Sequence, residues 1–262
     1  MKIDRHNEIL NILREKGSSS ISELCALVFS SPATMRRDLS YLEKRGYIKR
    51  YPGGASILER PFEMPFDLRN ELNNIQKNYL AQIGMSFIKD GQLLFFDSST
   101  TCIKLGQQLG KFKNLKIVTN GTVTSQMLSR NLNLTVYSTG GKVSPKTLSL
   151  LGTDAHQFIS NYHADIFFCS CRGLTSYGAC ESSAEEAEIK RFFAKHSNVT
   201  VLMVDSSKYN QNYHHIGLRF EDIDFIVSDT GLPENIVNLL DSNHYKTKNI
   251  FTLKDYVNDV DE

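Results

Sequence analysis

Three short segments near the amino terminus carry apolar residues at the spacing of an amphipathic helix. The first covers residues 4–16 and stops at Gly17, a residue type that readily ends helices. The second follows the run Ser20-Ile21-Ser22-Glu23, which has the form of a helical capping box, and extends to about Val28. The third begins at Pro32. The hydrophobic pattern therefore predicts three helices at the start of the chain.

The third predicted helix has the clearest boundaries. Ser31 is a favourable N-cap residue, and Pro32 suits the first helical position, because the N–H that proline lacks would be unpaired there. Gly46 marks the end of the helix, after about residue 45. The positions expected to face inward are Met35, Leu39 and Leu42. Hydroxyl and guanidinium groups lie in the first two turns, at Thr34, Arg36 and Arg37.

A basic strand and a tight turn follow the three helices. Residues 47–51 alternate in polarity like a strand, and Pro52-Gly53-Gly54 has the composition of a turn. Three helices and a basic hairpin are the arrangement of a winged helix, in which the wing would lay Lys49 and Arg50 along phosphates. Residues 57–74 contain prolines among mixed charges and show no period, which is typical of a linker.

Beyond the linker, continuous apolar runs alternate with amphipathic segments. After a helix at about residues 74–89, the predicted strands are residues 93–96, 115–118, 134–138, 166–171, 199–204 and 223–227. The predicted helices lie near residues 100–110, 121–130, 148–161, 184–197 and 233–241. Strands that are apolar throughout indicate a largely parallel sheet covered on both faces. We therefore predict an α/β chain in three parts, with a winged helix-turn-helix domain at residues 1–57, a linker at 58–74 and a larger α/β domain at 75–262.

Composition adds a difference in charge between the two domains. The chain has a formal net charge of +1, but residues 1–56 hold ten Lys and Arg against six Asp and Glu. A small basic module joined to a near-neutral larger one suggests a nucleic-acid reader with a second function attached. The five cysteines lack the spacing of a disulfide framework, and no apolar run approaches the ~20 residues that span a bilayer. We expect a reduced, cytoplasmic protein that does not bind a membrane.

The third helix is the predicted recognition helix, because hydroxyls and guanidinium groups at the front of such a helix suit the DNA major groove. The predicted DNA-binding residues are Ser31, Ala33, Thr34, Arg36, Arg37, Lys49 and Arg50. Thr34, Arg36 and Arg37 would contact bases or phosphates, with Ser31 and Ala33 at the edge of the groove. The alternative is an ordinary amphipathic helix with a solvated basic face. Readers of this kind usually act as dimers on half-sites, so we expect operator DNA as a partner and a homodimer or higher homo-oligomer.

Several runs closely resemble the DeoR family of bacterial transcriptional regulators. In the first domain they are Ile21-Ser22-Glu23-Leu24, the segment from Ser31 through Thr34-Met35-Arg36-Arg37-Asp38-Leu39 to Gly46, and Arg50-Tyr51-Pro52-Gly53-Gly54-Ala55. In the second they are Asp97 to Thr101, Val118-Thr119-Asn120, Gly140-Gly141, Gly173-Leu174, Glu185 to Lys190 and Asp205 to Lys208. The resemblance implies a winged-helix reader, a sensor domain with the sugar-phosphate isomerase/CoA-transferase type of fold, a phosphorylated sugar-type effector, and repression.

The predicted strands end in small, hydroxyl-bearing and charged residues, which suits a polar ligand at one edge of the sheet. The predicted effector-binding residues are Asp97, Ser98, Ser99, Thr100, Thr101, Thr119, Asn120, Gly140, Gly141, Arg172, Lys190, Asp205 and Lys208. Backbone N–H groups and hydroxyls at Ser98 to Thr101 favour a phosphate, although a plain Ser/Thr N-cap is the common alternative. The resembled family usually has glycine at the position of Ser99 and Ser or Thr at that of Cys102.

Each of the other charged candidates has an alternative role. Asp205 would accept sugar hydroxyls and Lys208 would meet a phosphate, or the two would form a surface pair of small effect. Arg172 suits a carboxylate or phosphate at a strand end. Lys190 either contacts the effector or is the helical i,i+4 partner of Glu186.

Other functions have weaker support from the sequence. Cys169 and Cys171 share one face of a strand, but no second Cys/His pair stands at zinc-site spacing, so buried thiols are favoured and neither metal nor cofactor is expected. An isomerase-like enzyme would use Asp165, Asp205 and Lys190 as acid–base groups, yet it would not need the reader domain. A protein–protein adaptor is a third alternative. We expect a transcriptional regulator without enzymatic activity.

Overall fold

The computed structural model describes residues 2–44, 46–57 and 66–250. Contacts divide the chain into two compact units, Met1–Leu72 and Asn73–Glu262. This boundary falls within the interval that the sequence pattern assigned to the linker. Residues 58–65 of that interval lie outside the described residues, and the interval also contains a helix, Phe66–Glu71, that the sequence pattern did not indicate.

The first unit is a winged helix, as predicted. Its helices are α1 (Lys2–Lys16), α2 (Ile21–Leu27), α3 (Pro32–Lys44) and α4 (Phe66–Glu71). Its strands are β1 (Ser18–Ser20), β2 (Ile48–Tyr51) and β3 (Gly54–Ile57), which form an antiparallel sheet in the order β1-β3-β2. The three predicted helices and the basic strand are thus confirmed, and β1 is an additional short strand between α1 and α2.

Local sequence signals explain where these elements begin and end. The capping box of α2 forms as predicted, with the Ser20 hydroxyl accepting from the Glu23 amide and the Glu23 carboxylate accepting from the Ser20 amide. Gly17 and Gly46 both adopt positive φ, +75° and +74°, where a side chain would be disfavoured. The core contains the predicted inward residues of α3, and Met35, Leu39 and Leu42 are all fully buried.

The second unit is built on a parallel seven-stranded sheet. Its strands are β4 (Leu93–Phe96), β5 (Leu115–Thr119), β6 (Leu134–Ser138), β9 (Ala164–Cys169), β12 (Ser197–Val204), β14 (Phe225–Ser228) and β15 (Lys248–Ile250). They lie in the order β15-β14-β12-β9-β4-β5-β6. The six predicted strands are confirmed within a few residues. Strand β9 shifts by two residues at both ends, since it spans Ala164–Cys169 where residues 166–171 were predicted.

Helices cover both faces of this sheet. They are α5 (Asn74–Gly84), α6 (Thr100–Gly106), α7 (Thr122–Leu128), α8 (Thr153–Ile159), α9 (Ala184–Lys195) and α10 (Glu234–Ser242), with short 3₁₀ turns at Met85–Phe87, Leu109–Lys111, Ser206–Lys208 and Phe220–Asp222. One apolar cluster holds residues of α5, α6 and α7, and a second holds residues of α8, α9 and α10. Both sheet faces are therefore buried, which explains the continuous apolar strands.

Short antiparallel elements near the carboxyl ends of the parallel strands were not predicted. Strands β7 (Lys142–Val143) and β8 (Leu150–Leu151) form a hairpin, and β10 (Gly173–Thr175), β11 (Gly178–Glu181) and β13 (His215–Leu218) form a small sheet. The prediction of a helix from residue 148 was wrong at its start, because β8 and Gly152, which has a φ of +95°, precede α8.

Candidate functional site

The outer face of α3 presents a basic surface. Ala33, Arg36 and Arg37 are exposed, whereas Met35 and Leu39 are buried on the opposite side of the helix. Arg36 and Arg37 have no ion-pair partner within residues 2–44, 46–57 and 66–250. Residues three and four apart share one side of a helix, so these arginines project beside Ala33. This face can meet the phosphates and base edges of a DNA groove.

Hydroxyl groups organise the start of α3. The Ser31 hydroxyl accepts from the Thr34 amide at 3.3 Å, which confirms the predicted N-cap. The hydroxyls of Ser31 and Thr34 also lie 3.0 Å apart, within hydrogen-bond distance. Ser31 is exposed and Thr34 is half-buried. Of the two, Ser31 is therefore the more accessible to a ligand.

The two basic wing residues differ in their surroundings. Lys49 is exposed, whereas Arg50 is half-buried beside α3. The Arg50 amide donates to Glu43 Oε1 at 3.1 Å, and the Arg50 guanidinium lies 3.8 Å from Glu43 Oε2. Arg50 therefore joins the wing to α3, and Lys49 is the better placed of the two to reach a phosphate.

A buried carboxylate anchors α3 to α1. Asp38 is only 2% exposed, and it accepts from Arg5 Nε at 2.6 Å. Its other oxygen lies 2.9 Å from His6 Nε2, and the His6 ring stacks on Tyr41. Burial opposes ionisation of Asp38, but the hydrogen bonds from Arg5 and His6 hold its pKa below the ordinary value. The signal available in sequence was an aspartate at a position that the helical period assigns to the inward face.

In the second unit, the predicted polar residues gather at the carboxyl edge of the sheet. Asp97 follows β4, which lies between β5 and β9, and Asp205 follows β12 on the far side of β9. The Asp97 carboxylate accepts from the Ser170 amide at 3.0 Å, so the ends of β4 and β9 are joined directly. Thr119 and Asn120 follow β5, on the other side of β4. One continuous edge therefore carries most of the predicted effector residues.

Lys190 lies at the centre of this edge, buried with two carboxylates. Its ammonium donates to Asp97 Oδ2 and to the Ser170 carbonyl at 2.5 Å, and it lies 3.2 Å from Glu181 Oε1. Burial alone would lower the pKa of Lys190, but Asp97 and Glu181 raise it well above its ordinary value. The ion pairs are thus formed with Asp97 and Glu181, while Glu186, the partner considered from the sequence, accepts from the Ser149 hydroxyl at 2.5 Å.

The two carboxyls beside Lys190 respond differently to it. Burial raises the pKa of both groups. At Asp97, attraction to Lys190 and hydrogen bonds from Ser99 and Ser170 outweigh burial, so its pKa falls below the ordinary value. At Glu181, burial prevails over Lys190 and Arg172, and the pKa is raised. An ammonium has three donors, and two of those of Lys190 are used by Asp97 and the Ser170 carbonyl. Glu181 Oε1 lies close enough for an ion pair but is buried without a hydrogen-bond partner among the described residues.

The segment Ser98 to Thr101 forms the start of α6. The Ser99 hydroxyl accepts from the Cys102 amide at 3.1 Å, and the Ser99 amide donates to Asp97 Oδ1 at 2.9 Å. Ser99 is therefore an ordinary N-cap, which was the common alternative. Ser98, Thr100 and Thr101 are each less than a tenth exposed, and the Thr101 hydroxyl lies 3.5 Å from that of Ser170. The segment forms the buried floor of the sheet edge.

The hairpin β7–β8 closes the side of the edge near β5. The Asn120 side-chain amide donates to the Leu150 carbonyl at 3.3 Å, while its oxygen Oδ1 is buried without a hydrogen-bond partner among the described residues. Gly141 has a φ of +107°, and a Cβ there would lie 2.6 Å from the Leu151 carbonyl oxygen. Gly140 also has positive φ, and the Thr119 hydroxyl accepts from the Gly121 amide at 3.0 Å. The predicted glycines thus shape the hairpin.

Asp205 lies on the other side of the sheet edge, directly after β12. Its Oδ1 accepts from Asn73 Nδ2 at 3.1 Å and from the Ser207 amide at 3.2 Å, which makes it the cap of a 3₁₀ turn. Its Oδ2 is buried and has no hydrogen-bond partner among the described residues. Lys208 ends that turn, half-buried, and its charge lowers the pKa of the Cys171 thiol, although burial raises that pKa overall.

Arg172 was predicted at the end of β9, but it lies in the segment between β9 and β10. There its amide donates to the Cys180 carbonyl at 3.0 Å. Its charge lowers the pKa of Glu181, which places it on the same side as the Lys190 cluster. Cys169 and Cys171 are buried free thiols, and burial raises the pKa of both. Within the described ranges, no group of three or more His, Cys, Asp or Glu side chains is arranged to hold a metal ion.

The structure does not bring together the acid–base group considered for an isomerase-like enzyme. Asp165 accepts from the Leu93 amide at 2.8 Å, and both residues belong to the amino-terminal ends of their strands. Asp97 and Asp205 follow the carboxyl ends of strands. Asp165 therefore lies at the opposite edge of the sheet and does not join Asp205 and Lys190 in one acid–base group.

Sequence reasoning missed four polar residues that the structure brings to the candidate sites, namely Asp38, Glu181, Ser170 and Asn73. For Glu181 a usable signal was present, because a lone carboxylate follows the small residues Gly178, Ala179 and Cys180. No helix in the described parts of the chain has the length and apolar character of a membrane span.

Comparison with known proteins identifies the family. The model of the DeoR-like helix-turn-helix domain matches residues 5–60, and that of the DeoR C-terminal sensor domain matches residues 72–230. The chain is 32% identical to the uncharacterized HTH-type transcriptional regulator YulB of Bacillus subtilis, over 93% of this chain and 95% of that protein. It is 29% identical to the putative aga operon transcriptional repressor of Escherichia coli O157:H7, over 88% and 87% of the two chains.

A structure of ribose 5-phosphate isomerase A from Methanocaldococcus jannaschii aligns with a TM-score of 0.38 at 15% identity, covering 52% of this chain and 55% of that one. The family models cover both compact units, and the relatives match over nearly their whole length. The chain therefore belongs to the DeoR family of transcriptional regulators, with a helix-turn-helix domain followed by a sensor domain.

Proposed function

We propose that this regulator is a repressor that binds operator DNA through α3 and the wing and that a phosphorylated sugar-type effector controls it from the sensor domain. The observation that supports DNA reading most directly is the exposed pair Arg36 and Arg37 on the face of α3 opposite its buried residues. Ser31, Ala33 and Thr34 occupy the start of the same helix, and Lys49 and Arg50 extend the basic surface into the wing. The regulated operon would serve sugar or polyol metabolism, as the resemblance to the family implies, and one relative is named as a putative repressor of the aga operon.

The effector site we propose is the carboxyl edge of the sheet. Polar side chains from β4, β5, β9 and β12 meet there, and Asp205 and Asn120 each retain a buried oxygen without a hydrogen-bond partner among the described residues. Buried polar atoms are almost always paired, so these two oxygens mark places where the hydroxyls of a sugar would donate. Lys208 and Arg172 supply positive charge on the same edge, which suits a phosphate.

We infer that the functional form is a homodimer or a higher homo-oligomer in the cytoplasm. Operators are read as paired half-sites, and a ligand in the sensor domain can then shift the population between arrangements of two reading heads. Light scattering of the purified protein measures the oligomeric state. A monomer that retains full operator affinity would contradict this part of the proposal.

The DNA-binding face is tested by replacing both Arg36 and Arg37 with alanine. Both side chains are exposed, so the fold should be kept. Loss of two charged contacts of about 1–3 kcal/mol each should reduce operator retention in a gel shift by about thirtyfold or more. Lys104→Ala and Lys113→Ala, which remove two positive charges from the sensor domain, form the matched control. Undiminished retention by the arginine variant would exclude α3 as the recognition helix.

The effector class is tested by thermal shift with a panel of sugar phosphates and their unphosphorylated parents. A ligand present at 100 times its Kd stabilises the folded state by about 2.7 kcal/mol. We expect a phosphorylated sugar to raise the melting temperature and to change operator affinity. The same response from the unphosphorylated sugar would remove the phosphate from the proposal.

A further inference from the structure

One residue in the turn between α2 and α3 is unusual in two respects. Phe29 is 96% exposed, and its backbone adopts a φ of +48°. The turn itself is well formed, since the Val28 amide donates to the Leu24 carbonyl and the Ser30 amide donates to the Cys25 carbonyl. The positive φ is therefore a fixed part of the helix-turn-helix geometry and is imposed on a large aromatic residue.

Both features are unfavourable for the isolated protein. A Cβ in the left-handed region is disfavoured, and glycine is the residue type that this conformation prefers. A fully exposed phenyl ring also gains nothing from burial. The positive φ and the exposure of the ring therefore both cost free energy. The ring gains no compensating packing against the described part of its own domain. Backbone outliers of this kind are a reason to look for a functional contact.

The position of Phe29 indicates what that contact is. It lies two residues before Ser31, the N-cap of α3, and hydroxyl-bearing and basic residues follow it in sequence: Ser30, Ser31, Thr34, Arg36 and Arg37. In helix-turn-helix proteins the amino-terminal end of the recognition helix meets the base edges of the major groove. Apolar side chains there contact the methyl group of thymine, which the other bases lack.

We propose that the Phe29 ring is a specificity-determining contact that reads a thymine methyl group in the operator. This rests on the proposed binding of α3 in the major groove, and it adds a named base to that proposal. A protein partner is the competing occupant. The residues that follow Phe29 are hydroxyl-bearing, and Arg36 and Arg37 have no ion-pair partner among the described residues, so this side of the turn complements a phosphate backbone better than an apolar protein surface.

The test begins with selection of an operator from random-sequence duplexes by the full-length protein. Each thymine of the selected duplex is then replaced, one at a time, by deoxyuridine, which keeps the base pair and removes only the methyl group. We expect the wild-type protein to bind about fourfold more weakly when the methyl at one position of a half-site is removed, as for loss of one buried methyl-sized group of about 0.8 kcal/mol.

Variants separate this contact from folding. Phe29→Ala should bind the thymine and uracil duplexes equally, and Phe29→Tyr should keep the discrimination. Phe29→Gly should also lose the discrimination but should melt at a higher temperature than Phe29→Ala, because glycine relieves the positive φ. Leu132→Ala is the matched control, since Leu132 is equally exposed, at 96%, but belongs to the sensor domain, and it should discriminate like the wild type.

The outcomes distinguish the two levels of the proposal. If the wild-type protein enriches an operator but binds its thymine and uracil forms equally, the thymine contact is wrong while DNA binding stands. The same holds if Phe29→Ala keeps the discrimination and is defective only in repression in cells, which would indicate a protein partner. If the wild-type protein enriches no sequence, the assignment of operator binding fails together with the thymine contact.

Discussion

Replacing Lys190 with methionine removes the cation from a cluster of buried charges. Lys190, Asp97 and Glu181 are 6%, 2% and 3% exposed, and the ammonium lies within hydrogen-bond distance of Asp97 and 3.2 Å from Glu181. Methionine keeps most of the volume of the side chain. What is lost is the charge, so two carboxylates would remain in a site from which water is largely excluded.

The magnitude follows from that geometry. Removing one partner of a buried ion pair typically costs about 3–5 kcal/mol, because an uncompensated charge stays behind. For a unit the size of residues 73–262, each kcal/mol lowers the melting temperature by about 2–4 °C, so the transition of the sensor domain should fall by about 6–20 °C. Lys142 provides the comparison. It forms an ion pair with Glu185 at 2.5 Å, but both side chains are more than half exposed, so Lys142→Met should cost less than 1 kcal/mol.

The assay is thermal unfolding of the full chain followed by far-UV circular dichroism, since the sequence contains no tryptophan for intrinsic fluorescence. Leu39→Ala, in the separate core of the first unit, identifies the transition of the winged helix. Adding Asp97→Asn and Glu181→Gln to Lys190→Met should restore part of the lost stability, because both unpaired charges are then removed. Equal effects of Lys190→Met and Lys142→Met would refute the reasoning that burial makes the Lys190 cluster strongly coupled.

Two further predictions concern the carboxylates. Asp38→Ala should destabilise the winged helix by about 1–3 kcal/mol, because Arg5 and His6 lose their buried acceptor. The melting temperature of that unit measures the loss, and an unchanged value would show that the contact does not anchor α3. The pKa values of Asp38 and Asp97 are held below the ordinary value of about 3.9, so their stabilisation is complete above about pH 5 and is lost as pH falls through the folded-state pKa. Melting temperatures should therefore decline as pH falls below about 5, with a smaller decline for Asp97→Asn, and an identical decline in that variant would contradict the assignment.

The winged helix was predictable almost residue by residue because its signals are local. A capping box, an N-cap serine followed by proline, and two glycines with positive φ fix the ends of α1, α2 and α3 within a few neighbouring residues. The parallel strands were found for a related reason. Each is buried on both faces, so its apolar run stands out without knowledge of its partners.

The elements that were missed depend on distant partners. Strand β11 pairs with β13, which begins more than thirty residues later. Neither strand has an apolar run long enough to be predicted from the sequence alone. The helix predicted from residue 148 failed at its start because β8 pairs with β7 across a hairpin whose turn the hydrophobic period does not encode. From the sequence, Lys190 had the helical neighbour Glu186 as a possible partner. Its partners in the structure are Glu181 of β11, 9 residues earlier in the chain, and Asp97 at the end of β4, 93 residues earlier.

The order of strands in the sensor sheet has a consequence for how a ligand would act. The chain starts at β4 in the middle of the sheet, adds β5 and β6 on one side with helices on one face, and then returns to add β9, β12, β14 and β15 on the other side with helices on the opposite face. Between β4 and β9 the winding direction reverses, so the connections on the two sides diverge, and open parallel sheets bind their ligands at such a switch point. Asp97 and Ser170 meet there through a hydrogen bond from the Ser170 amide. The proposed effector, bound there, would contact both halves of the sensor sequence at once. Along the chain these halves are connected through the β7–β8 hairpin and α8, and across the sheet they are joined by the β4–β9 pairing, so the binding energy would add to that pairing.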